Sequence, residues 1–300
     1  MGEIVGTAIV GHVPTLMLSE EVRTKLGGGR DTTLFSGLGL LRNRLDAVAA
    51  DTVIIIDTHW DTTAEHIVAG QDHHRGTYTS EELPKTIRNL EFEYSGAPAL
   101  AAAITRIGRE QGQWVLNATD DKIAHHYPTL NIVHHVVRDE RVLSTGVCQT
   151  ADADDFLAFG TAIAAAVRES DSRVVILGSG GLSHRFWPLR EFRSHGGYSP
   201  EEIITPGARA FDENLITLMI AGDHRSVIDL YPDYRAHAPE GRFGHYLTMV
   251  GALGGRDCST PAEPLSEYEN SYGTGQIHLW FEPRPRQTPT QDSDMNKDIA

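Results

Sequence analysis

Residues 53–62 read VIIIDTHWDT. Four β-branched residues in a row suit a strand buried on both faces, the pattern of an inner strand in a parallel sheet. The run stops at Asp57, Thr58, His59 and Trp60, where small turn-forming residues would be the ordinary ending. A carboxylate, a hydroxyl, an imidazole and an indole at a strand end point to a site. The spacing predicts a strand over 52–57 that hands these groups to whatever lies beyond it.

Outward from this stretch, strands and helices alternate. Residues 3–10 (EIVGTAIV) and 172–181 (SRVVILGSGG) read as further strands, the second ending in a glycine turn. Apolar residues at helical spacing predict helices over 34–50, 97–112, 154–170, 208–223 and 246–255, and residues 273–283 alternate as a late strand. This order predicts an α/β fold, a single domain over 1–283 with a largely parallel central sheet flanked by helices. Residues 73–84 (HHRGTYTSEELP) are polar and read as a long loop near a site. Residues 284–300 are polar, contain proline and lack periodicity, so a disordered tail is expected there.

Composition narrows the class. The 300 residues are 40% hydrophobic, enough for a sizeable core, and carry 26 Lys and Arg against 41 Asp and Glu, a net charge of −15. Such a chain repels phosphate backbones, so nucleic acid is not an expected partner. The start of the chain lacks a basic leader and no segment of about 20 apolar residues occurs, so neither a signal peptide nor a membrane span is expected. Two cysteines, Cys148 and Cys258, do not form a Cys-x-x-Cys pair, and a reducing, cytoplasmic setting is expected.

In open α/β sheets ligands bind beyond the carboxyl ends of the strands. Of the 15 histidines, His12, His59 and His184 each follow a predicted strand within a few residues. A single such imidazole is most often satisfied by a backbone carbonyl; three on one edge point to a metal or to acid–base chemistry. Competing motifs are missing or imperfect. No His-Glu-x-x-His or Walker loop occurs, GSGGLS has Ser183 where a dinucleotide fingerprint wants its last glycine, and Leu177 breaks a nucleophile elbow at Ser179. Two neutral imidazoles and one carboxylate would leave three positions open on Fe(II). Asp57, Asp61, Glu81, Glu82 and Glu240 are candidates for the carboxylate, and composition does not choose among them.

GHVPTL, DTHW, GTYTSEELP, SGGLSHRF, EGRFGHY and GTGQIHLWF occur in this order. With them the chain, over roughly residues 3–283, resembles the class III extradiol ring-cleavage dioxygenases, most closely the homoprotocatechuate (3,4-dihydroxyphenylacetate) 2,3-dioxygenase-like branch. The resemblance implies a mononuclear Fe(II) held by His12, His59 and Glu240, with O2 as cosubstrate and a small catechol-type aromatic as substrate. It implies a homo-oligomer, and His184, in the Ser-His-Arg-Phe motif, as the catalytic acid–base. A further residue beside the substrate maps to Tyr127 within HYPTL, where Pro128 replaces the family's glycine; whether Tyr127 or the adjacent His126 faces the substrate stays open.

The metal and a histidine base together would ease deprotonation of the diol. Arg185 and Arg242 are candidates to clamp a substrate carboxylate, and His245 and His237 to support Glu240. Trp60 and Phe186 are candidate pocket walls. His73, His74, His134, His135 and His224 are expected at the surface or on helix faces. An aminophenol or dihydroxypyridine substrate stays open, as do, more remotely, a zinc hydrolase and a binding protein that kept the fold.

Overall fold

The computed structural model describes residues 1–283; the expected tail, 284–300, lies outside the described residues. The strands are β1 (Glu3–Val10), β2 (Thr52–Thr62), β3 (His66–Ala69), β4 (His73–Tyr78), β5 (Leu90–Ser95), β6 (Val115–Ala118), β7 (Arg141–Cys148), β8 (Arg173–Ser179), β9 (Ala262–Pro264), β10 (Glu269–Ser271), β11 (Thr274–Gln276) and β12 (His278–Phe281). Eight of them form one sheet in the order β6-β3-β7-β2-β8-β1-β12-β9. Its centre, β7-β2-β8-β1, is parallel throughout, as the alternation of strands and helices predicts. Antiparallel pairings are confined to the flanks, at β3 against β7 and at β12 against β1 and β9.

Helices cover both faces. On one lie α2 (Thr33–Ala47) and α4 (Tyr127–His135). On the other lie α3 (Pro98–Glu110), α5 (Ala153–Glu169), α6 (Pro206–Ala221), α7 (His224–Tyr234) and α8 (Gly244–Ala252). The short α1 (Glu20–Leu26) precedes α2. The apolar run in β2 divides between the two layers. Val53 and Ile55 pack with α2, and Ile54 and Ile56 pack on the α5 side, all fully buried. Each such side chain contributes roughly 1.5–3 kcal/mol of burial free energy. Both faces are therefore occupied, which is why the run does not alternate.

The register sets up the site. Val10 of β1 pairs with Ser179 of β8, and Asp57 of β2 pairs with the same Ser179. Three neighbouring strands thus end at one level, and the residues that follow each emerge at one point on the carboxyl edge.

The strand expected to stop at Asp57 runs on to Thr62, because the chain bulges. Asp57 lies opposite Gly146 of β7, but the next pair is Asp61 with Val147, so Thr58, His59 and Trp60 loop out of the ladder. Gly146 permits this: a Cβ there would sit 2.2 Å from the Trp60 carbonyl oxygen. Asp57 Oδ1 accepts from the backbone N–H of His59 (2.9 Å) and of Trp60 (3.2 Å), two donors that the bulge leaves without a strand partner. Its Oδ2 accepts from the Thr129 N–H (3.0 Å) and hydroxyl (2.6 Å) in the first turn of α4, a helix whose own cap residue, His126, supplies no side-chain acceptor. Pro128 is tolerated in that first turn, where no intrahelical N–H is required.

Several expectations change. Residues 73–78 form β4, paired with β5 as a hairpin, and not part of a long loop. His74 is buried and stacks on Tyr94 at 4.5 Å while its neighbours His73 and Arg75 are exposed, a two-residue period hidden by the polar composition. The late strand divides: β11 pairs with β10, and β12 pairs with β1. His224, expected at the surface, is buried between the Tyr246 hydroxyl and the Thr260 carbonyl, 2.8 Å from each. β3 and β6 are four residues long, too short for a periodic signal.

Replacing Asp57 with Ala strands four donors, three of them on His59, Trp60 and the buried N–H of Thr129. Asp57→Ala is expected to lower unfolding free energy by about 3 kcal/mol, read as a shifted urea midpoint with an unchanged m value.

Candidate metal centre and active-site cavity

His12 stands two residues beyond β1, and its approach is fixed by a buried histidine. The Gly11 N–H donates to Nδ1 of His278 (3.0 Å), whose Nε2–H donates to the Leu34 carbonyl (2.9 Å). Burial holds His278 neutral, down at about 4, so its Nδ1 remains an acceptor. His59 is the middle residue of the β2 bulge. Glu240 arrives from the turn before α8, where Gly241, Arg242 and Phe243 have φ of 51°, 58° and 60°. Left-handed backbone costs about 1 kcal/mol or more at each non-glycine position, so the surrounding structure must hold this turn. It does so through two short strand-like contacts. The Glu240 N–H donates to the Leu182 carbonyl (3.0 Å) and the His184 N–H donates to the Ala238 carbonyl (3.0 Å), which lays residues 182–184 beside 238–240.

Three donor atoms converge there. Nε2 of His12 lies 2.9 Å from Glu240 Oε1 and 3.2 Å from Nε2 of His59, which is 3.6 Å from the same Oε1. Among the described residues His12, His59 and Glu240 form a set able to hold a metal ion, with ligand atoms within 4.8 Å of one another. The far side of each imidazole is occupied: Nδ1 of His12 meets the Ser179 hydroxyl (3.2 Å) and Nδ1 of His59 meets Glu82 Oε1 (3.1 Å). Such outward partners aim each Nε2 lone pair at the centre. Glu240 accepts from the Thr58 hydroxyl (2.7 Å) and from the Gly181 N–H, so the glycine turn after β8 serves a carboxylate.

The electrostatics suit a cation. Burial alone would push the Glu240 carboxyl up, but the imidazoles of His12, His184 and His59 outweigh it and hold Glu240 ionised, well below the usual range. Burial likewise pulls His59 down, yet Glu240 and Glu82 prevail and raise it to about 10. A divalent cation bound there would compete with a proton for these nitrogens. Two nitrogens, one carboxylate and a partner on each remote nitrogen fit such an ion.

The triad opens into a cavity of about 650 Å³. His184 lines it, with Nε2 3.6 Å from Glu240 Oε2; burial and the nearby imidazoles lower its pKa, partly offset by Glu240, and leave it neutral. Tyr127 lines it too, its ring edge-on to His12 and His59 with centroids 5.3 and 4.7 Å away. Burial, then Glu240 and Glu82, raise Tyr127 well above the usual phenol range, so it keeps its O–H. Phe186 forms part of the wall, against His184 at 4.8 Å. Gln276 is buried beside it, with an Oε1 that finds no partner in the described chain.

Other candidates lie elsewhere. His126 and Trp60 face a separate small void of about 20 Å³ behind the bulge, together with Asp57 and His74. Arg185 is exposed and donates to the Ala236 carbonyl, and Arg242 is exposed on the left-handed turn; neither lines the cavity. His245 is fully buried beneath Gly180, with both ring nitrogens unpartnered and its pKa lowered to about 4 by burial. His237 packs against Phe211 and Tyr234.

The sequence marks Thr58 only as a strand-end hydroxyl and does not mark Asp212 at all. Thr58 and Ser179 touch the ligands, and Asp212 accepts from the Ser183 N–H (3.2 Å), the Ser183 hydroxyl (2.6 Å) and the Tyr234 hydroxyl (2.7 Å), pinning the residue before His184. Only spatial proximity reveals these contacts, since Thr58 and Glu240, Ser179 and His12, and Asp212 and Ser183 are 182, 167 and 29 residues apart.

A neutral imidazole and a phenol stand beside a two-histidine, one-carboxylate set able to hold a metal ion, all on the carboxyl edge of a largely parallel sheet. The chain belongs to the class III extradiol ring-opening dioxygenases: residues 6–282 match the family described as the catalytic LigB subunit of aromatic ring-opening dioxygenase. It is 28% identical over 258 residues to the 3,4-dihydroxyphenylacetate 2,3-dioxygenase of Escherichia coli, covering 85% of this chain and 91% of that one. Its fold resembles the crystal structure of the uncharacterized protein JW3007 from Escherichia coli K12, with a TM-score of 0.58 at 16% identity over 92% of this chain and 99% of that one. Cys148 and Cys258 are buried free thiols, and no described helix is long and apolar enough to cross a membrane.

Glu82→Gln removes the charge that orients His59, and metal affinity is expected to fall about 10- to 100-fold, measured by competition with a chelator. Asp212 gives a pH signature. Burial pushes its carboxyl up from 3.8 to about 6, against its hydrogen-bond donors. The folded state thus binds more protons than the unfolded one between these values, and the stability from this group is lost as pH rises through about 6. Relative to Asp212→Asn, wild-type unfolding free energy should decline by about 3 kcal/mol between pH 4 and 7, measured by denaturant titration.

Proposed function

We propose that the protein is an Fe(II)-dependent extradiol dioxygenase that opens the ring of a catechol-type aromatic with O2. The observation that carries this is the convergence of His12, His59 and Glu240 on one point, with His184 and Tyr127 on the wall of the same cavity. When bound, the iron supplies a Lewis-acid centre at which the two diol oxygens and O2 are brought together. The chain's own groups do the rest. His184, held neutral, accepts a catechol proton at Nε2 and returns it as the ring opens. Tyr127 keeps its O–H and donates a hydrogen bond to an oxygen of the bound pair. Both atoms of O2 enter the ring-opened semialdehyde acid, so no external reductant is needed. The buried thiols accord with a reducing, cytoplasmic setting.

Two variants separate binding from chemistry. Glu240→Ala should abolish iron binding, measured as metal content after anaerobic loading; wild-type content would exclude this ligand set. His184→Ala should retain iron and slow turnover by about 10²-fold or more, measured as O2 uptake with catechols and aminophenols. Unchanged turnover would remove its acid–base role. Activity that persists without O2 would favour hydrolysis by the same centre.

A further inference from the structure

The cavity wall away from the triad has a consistent chemistry. Leu26, Leu83, Phe186 and Phe192 supply its apolar part, Thr86, Ser271, Thr274 and Gln276 add neutral polar groups, and the charged residues that line it outside the triad and His184 are the carboxylates Asp61 and Glu82. Among the described residues no Lys or Arg lines it. Arg185, which might have faced inward, is exposed and spends a guanidinium N–H on the Ala236 carbonyl. A carboxylate on the substrate would lose water without gaining a cation, and would face two like charges. A charge taken out of water is disfavoured unless the wall supplies a partner for it. A cationic substituent is not favoured either: Glu82 is engaged by His59, and Asp61 by the Gln149 amide at 2.6 Å. The cavity also exceeds what a bare diol ring needs, since roughly 300–1,000 Å³ encloses a drug-sized ligand.

We infer that the ring substituent of the substrate is uncharged, as in an alkyl- or aryl-substituted catechol. This rests on the ring-opening reading above and deepens it. The Escherichia coli relative is named for an anionic catechol; the wall of this cavity calls for a different substituent here.

The test uses the full 300-residue chain loaded anaerobically with Fe(II), so that residues 284–300 take part. O2 uptake is followed with 4-ethylcatechol, 3,4-dihydroxyphenylacetate and dopamine. The kcat/KM for 4-ethylcatechol should exceed each of the others by about 10-fold or more. Leu83→Arg places a cation in the wall and should move the ratio of acid to ethylcatechol about 10-fold towards the acid. If the acid or the amine is used as well as 4-ethylcatechol, or Leu83→Arg leaves the ratio unchanged, the inference fails while ring opening stands. If no catechol is opened, the ring-opening reading itself fails and this inference with it.

Discussion

The buried carboxylate of Asp57 joins the two pieces of backbone on which the centre depends. One oxygen holds the N–H groups of His59 and Trp60, which the bulge in β2 removes from the ladder; the other holds the first turn of α4 at Thr129. A bulge without such an acceptor would bury two unpaired donors, and the helix would start without a cap. Because one side chain answers both needs, the position of His59 and that of Tyr127, two residues before Thr129, are set together. A negative charge at the start of α4 is also favoured by the helix dipole.

Glu240 depends on a different device. Its turn is left-handed over three residues, two of them Arg242 and Phe243, and would not persist in isolation. It is held because residues 238–240 lie against 182–184, which in turn donate to and accept from Gly275 of β11. Asp212 adds a buried acceptor behind Ser183. The acid–base candidate and the anionic ligand are therefore held by the same contacts, and the cavity they share is lined on its far side by side chains from α1, from the loop after β4 and from residues 186–192.

Much of this was legible in the chain. The four β-branched residues of β2, fully buried on both faces, report a central parallel strand because only such a strand has no solvent side. The strand-end positions of His12 and His59 follow from the same logic, since parallel strands share one carboxyl edge. The hairpin of β4 and β5 was not legible: its polar residues alternate, but the buried partner of His74 is Tyr94, supplied from the next strand. The placement of Arg185, Arg242, His126 and Trp60 outside the cavity was equally hidden, because each lies within two residues of a site residue in sequence.

The sequence by itself determined the α/β class, the shared strand edge and the residue types capable of binding a metal, because hydrophobic periodicity and strand order are local properties. Only the tertiary structure decided which of five carboxylates joins the Nε2 atoms of both imidazoles, since Glu240 reaches His59 across 181 residues through a strained turn that neighbouring loops hold in place. It also decided that the residues DTHW do not end a strand. They form a bulge within one, and Asp57 is there to satisfy the backbone that the bulge exposes.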